Sequence, residues 1–179
     1  MRPRHVMSLA FLVLVPALAG WSFWGTVVEP HPGGAPVVAA DPSPLPPSLA
    51  GLSLGTSLAG AEAVASVEQL HGKALGSGLD DAWVGEYGGS GAATVWVSRS
   101  ASPEEAGDLL ERMTDRIEEG GSPFTGLRPI DIEDARVYRL EGMGQVHYYF
   151  LNARDVYWLA IDSARAESGL GELLTATVG

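Results

Sequence analysis

The sequence predicts an α+β domain, a mostly antiparallel sheet with helices on one face, preceded by one N-terminal transmembrane helix. Three observations carry this expectation. Segments rich in β-branched and aromatic residues follow one another across short turns, as antiparallel neighbours do. A capped amphipathic helix divides these segments into two groups. The first fifty residues stand apart in composition, which leaves residues 51–179 for one domain. A domain of that size buries roughly two thirds of its unfolded-chain surface, so it needs neither metal nor disulfide to hold a core.

Arg2, Arg4 and His5 precede residues 6–28, twenty-three positions without a charged side chain. About twenty apolar helical residues cross a hydrocarbon core of roughly 30 Å. The basic flank places the N-terminus in the cytoplasm, and Trp21, Phe23 and Trp24 fall where aromatic rings favour the outer interface. Ala17-Leu18-Ala19, just after Pro16, is also an A-x-A cleavage site. Residues 1–28 are therefore a membrane anchor or a signal peptide, and either one exports the rest of the chain. Residues 29–50 contain seven prolines, the composition of a semi-rigid linker.

Within the domain, Ser57 is expected to cap a helix running to about His71, with Ala63, Val64, Val67 and Leu70 at helical spacing and Gly72 as its stop. Residues 81–87 and 93–98 read as a hairpin around Gly88-Gly89-Ser90-Gly91. Ser102-Pro103-Glu104-Glu105 opens the clearest helix: Ser102 is the N-cap, Pro103 fits the first turn, and Glu105 completes a capping box. Ala106, Leu109, Leu110, Met113 and Ile117 form its apolar stripe, and Gly120-Gly121 ends it. Short strands at 130–132 and 136–140 flank a turn at Glu133-Asp134. Residues 145–151 and 156–161 are the strongest strands, joined by Asn152-Ala153-Arg154-Asp155. A last helix, from Ser163 or Ala164 to about Thr175, is weakened by Gly169 and Gly171. The expected order is α-β-β-α-β-β-β-β-α.

Composition removes several functions. The chain has no cysteine, which excludes a thiol nucleophile, a CxxC redox pair, a Cys-ligated metal and an acylated cysteine. Formal net charge is −11, and from Gly51 onward nine Lys and Arg face twenty Asp and Glu. Basic residues scattered singly among acids cannot track a phosphate backbone, so nucleic acid is excluded as a partner. The same charge repels anionic lipid head groups, and membrane contact falls to the N-terminal helix. No G-x-S-x-G, Walker loop, dinucleotide fingerprint, HExxH or EF-hand loop occurs. Ser90 reads as a turn residue, and the pairs Glu104-Glu105, Glu118-Glu119 and Asp80-Asp81 lie at element ends, where solvated charge is ordinary. The reading favours a non-enzymatic module without cofactor or metal.

One surface carries chemical interest. If residues 152–155 form a four-residue turn, Val146, Tyr148 and Phe150 share a core face with Tyr157, Leu159 and Ile161. The opposite face then carries Gln145, His147, Tyr149, Val156 and Trp158. Trp96 and Trp83 on the earlier hairpin are candidates to extend this patch. Such rings either cover the second side of the sheet or form a groove for a small apolar ligand or an extracytoplasmic protein partner. The alternative is an enzyme or a metal or haem site centred on His147 with His71. Two imidazoles alone do not make such a site, and His71 is explained by the helix dipole.

Gln69-Leu70-His71-Gly72-Lys73, Ser122-Pro123-Phe124-Thr125, Gly144-Gln145 with His147-Tyr148-Tyr149-Phe150, and Val156-Tyr157-Trp158-Leu159-Ala160 resemble an uncharacterised family of exported bacterial domains. The resemblance covers about residues 52–178. It implies export and a common fold, and it carries no catalytic residue over.

Overall fold

The computed structural model describes residues 42–71, 78–89 and 91–178, without the side chains of Leu70 and His71. The anchor or signal expected at 1–28 and most of the linker lie outside these residues. Among the described residues, no helix is long and apolar enough to cross a membrane.

The described chain is α+β, with eight strands and three helices: β1 (Ser48–Leu49), β2 (Leu52–Ala59), α1 (Ala61–His71), β3 (Leu79–Tyr87), β4 (Ala93–Ser100), α2 (Pro103–Glu118), β5 (Thr125–Ile132), β6 (Ala135–Gly142), β7 (Gln145–Asn152), β8 (Asp155–Ile161) and α3 (Ala166–Val178). The strands form one sheet in the order β1-β2-β3-β4-β8-β7-β6-β5, every neighbour antiparallel. From β4 in the middle, α2 carries the chain to the far edge at β5. The β5–β8 meander then returns and seats β8 beside β4.

The strongest local signals hold. Ser102 caps α2 in extended geometry, its Oγ accepting from the Glu105 N–H at 3.2 Å. Glu105 accepts from the Ala101 N–H at 3.3 Å, one residue before the cap donor that a capping box uses. The β7–β8 hairpin pairs Asn152 with Asp155, as the turn chemistry requires.

The sheet departs from expectation on its coverage. Helices were expected on one face, yet α3 packs one side while α1 and α2 pack the other. Both faces are apolar, so both must be hidden from water. Among the described residues, two strands precede the first helix. Ser57 lies in β2, which pairs with β3, and α1 begins only after Gly60, whose φ of +62° ends the strand. Leu52, Leu54 and Leu58 are half-buried while the residues between them face water, so pairing to β3 overrides the helix-cap signal.

Described residues ahead of the boundary expected at Gly51 already belong to the fold. The end of the proline-rich stretch contributes Leu45 and Leu49 to the core. The Tyr87 hydroxyl donates to the Pro46 carbonyl at 2.9 Å, and the Ala50 N–H donates to Glu172 on α3 at 2.7 Å. β5 is longer than the expected strand at 130–132, and α3 begins at Ala166. Before α3, Asp162 accepts from the Arg165 N–H and pairs with its guanidinium at 2.6 Å, closing a turn.

Candidate functional site

Register decides which rings meet. Trp96 on β4 lies opposite Trp158 on β8, Trp158 opposite Tyr149 on β7, and Tyr149 opposite Tyr138 on β6. Tyr138, Tyr149 and Trp158 stack nearly parallel, with centroids 4.8 and 5.2 Å apart. Tyr149, in the middle, is fully buried beneath α2, and burial pushes its phenol up to about 12. Thr114 on α2 gives its one proton to the Leu110 carbonyl, so the Tyr149 hydroxyl is the donor in its 3.0 Å bond to Thr114.

His147 is held just as firmly. The indole N–H of Trp158 can only donate, so His147 Nδ1, 3.1 Å away, is the acceptor and carries no proton. Nε2 therefore carries it and donates to the Gly142 carbonyl at 3.0 Å. Burial lowers the imidazole's affinity for a second proton, and the ring sits edge-on to Phe124 at 4.8 Å. With both nitrogens engaged, His147 is a neutral positioning group. A metal there would have to displace Trp158 or Gly142. Among the described residues, no group of three His, Cys, Asp or Glu can hold a metal ion.

Above this floor α1 and α2 stand apart and leave a pocket of about 300 Å³. That is the lower end of the range for small-molecule sites, roughly 300–1,000 Å³. Trp96, Trp158, Val156 and Ala160 floor it. Val67 of α1, Met113 of α2 and the Pro123-Phe124 turn wall it. Met143, 78 % exposed, forms its lip from the β6–β7 turn. No lining side chain is charged; Ser98, Gln145 and His147 supply the polar atoms. Gln145 also ties the rim together, its Nε2 donating to the Gly91 carbonyl at 2.9 Å.

Of the six residues expected from sequence, Gln145, His147, Trp96 and Trp158 line this pocket. Tyr149 supports Trp158 from behind. Trp83 lies on the other face: it pairs with Val97, which pairs with Tyr157. There Arg99 sits 4.6 Å above the Trp83 ring and grips Asp155 with two bonds of 2.7 and 2.8 Å. His71 ends α1, and its side chain lies outside the described residues. Sequence reasoning missed Met113, Phe124 and Met143, and it did not single out Ser98, which shares a strand face with Trp96. Met143 did leave a signal, an apolar residue between two glycines at a strand junction.

The fold and site together define an α+β domain with a small-molecule-sized apolar pocket between two helices. Compared with protein-family models, curated proteins and solved structures, the chain matches none.

Proposed function

We propose that this protein is a non-enzymatic binding module, held outside the cytoplasmic membrane by residues 6–28, that takes a small, flat, uncharged apolar ligand between α1 and α2. The observation that carries this reading is the pocket itself, floored by Trp96 and Trp158 and free of charged side chains. Aromatic faces give a flat ligand large contact area, and the absence of charge costs a neutral molecule nothing in unpaired ions. Catalysis is disfavoured because His147, the imidazole that lines the pocket among the described residues, has both nitrogens engaged and cannot take a proton from Ser98. The uncharged stretch behind Arg2 and Arg4 supports export.

Two measurements test the two halves of the proposal. Naphthalene added to the full chain in nanodiscs is expected to shift the indole N–H resonances of Trp96 and Trp158 and leave that of Trp83 in place. Unmoved Trp96 and Trp158 signals would refute binding. Protease added to intact cells is expected to remove a C-terminal tag; a protected tag would refute export.

A further inference from the structure

Resting on that binding reading, we infer that the pocket selects a ligand with one hydrogen-bonding group at its leading end, and that Ser98 is the residue that selects it. The register lays the floor out along β8. Val156 lies opposite Ser98, Trp158 opposite Trp96, and Ala160 opposite both Thr94 and His147. From Val156 to Ala160 the strand advances about 13 Å, at roughly 3.3 Å per residue. The pocket is thus a trough with a polar group near each end and indoles in the middle.

The two ends differ. Met143 and Gln145 mark the solvent side, Met143 being 78 % exposed and Gln145 half-buried. Ser98 lies at the other end and is 4 % exposed. Its hydroxyl has no hydrogen-bond partner among the described residues, although every fully buried side-chain polar atom there has one. That hydroxyl therefore reaches the open space of the pocket, which Val156, Met113 and the indoles also line. A wholly apolar ligand seated against it strands a buried hydroxyl, and a ligand hydroxyl or carbonyl at that point satisfies it. Alanine at this position would carry no such cost, which points to ligand selection as the use of the serine.

The test compares 2-naphthol with naphthalene on the full chain and on Ser98→Ala, both in the same nanodiscs so that partition into lipid cancels. The readout is the Trp96 and Trp158 indole N–H shifts. The wild type is expected to bind 2-naphthol about tenfold more tightly than naphthalene, and Ser98→Ala to lose that preference, its affinity for naphthalene rising because no hydroxyl is left stranded. A wild type that does not distinguish the probes overturns the inference, as does a Ser98→Ala variant that still prefers 2-naphthol. Failure of both probes to move either indole overturns the binding reading beneath it.

Discussion

The two faces of the sheet are built from the same alternating strands, yet one is closed and the other holds a cavity. On the α3 side Tyr87, Phe150, Leu159, Ile161 and Leu173 are fully buried, with the Phe150 and Tyr157 rings stacked at 5.1 Å. There α3 comes so near the sheet that a Cβ on Gly169 would stand 2.6 Å from Ile161 Cδ1. The glycine that weakens the helix locally is what permits that approach. On the other side two helices divide the cover. Each packs its own cluster, Ala63 and Val67 under α1 and Ala106, Leu109 and Met113 under α2, and the gap between them falls over Trp96 and Trp158. The spacing of the covering helices, more than the polarity of the strands, separates a core from a site.

Four perturbations sharpen that contrast. Removing the ring at the closed face, Phe150→Ala, is expected to cost about 3–5 kcal/mol, because a rigid surround cannot collapse onto the void. Urea denaturation with an unchanged slope would show it. Overfilling the same face with Gly169→Leu should cost about 1–3 kcal/mol, since α3 must be pushed off the sheet; the thermal midpoint reads this.

A pH-dependent effect is expected on the open face. The unfolded chain protonates His147 near the ordinary value of 6.5, whereas burial holds the folded group below it. Stability from the neutral ring is therefore complete above about 6.5 and declines as pH falls toward the lower folded value. His147→Gln should flatten that part of the urea-midpoint profile; an unaltered profile would show that the ring's protonation is not coupled to folding. The smallest stability change is expected from Ala160→Leu, which grows into empty space. It should shift stability by less than about 1 kcal/mol while abolishing the naphthalene-induced indole shifts. A large destabilisation there would mean that the open face is packed as tightly as the closed one.

What the sequence revealed was whatever short-range chemistry decides. Ser102-Pro103 with the stripe from Ala106 to Ile117 located α2, because caps and 3.6-residue spacing are local. The two-residue turn after Asn152 sorted every residue of β7 and β8 onto its correct face, since side chains alternate strictly. Pairing partners were not legible. The end of β2 reads locally as a helix start because Ser57 suits a cap, and only hydrogen bonding to β3 makes it a strand residue. Trp83 falls on the opposite face from its expected patch for a related reason. Its face depends on how β3 registers with β4, where Tyr87 pairs with Ala93 and so Trp83 with Val97 rather than with Trp96. The floor of the pocket was largely foreseen, and its walls were not, because Val67, Met113 and Phe124 reach it from elements far apart in the chain.

The route by which the chain enters the domain has a mechanical consequence. Leu45 and Leu49 lie among the residues of the α3 face, with the Pro46 carbonyl held by Tyr87 and the Ala50 amide by Glu172. A load drawn through the preceding residues meets these attachments first, and then the short β1–β2 pairing at the sheet's margin. The cavity opens on the opposite side, several strands inward, so a pull at this end of the domain is absorbed before it can reach the indoles.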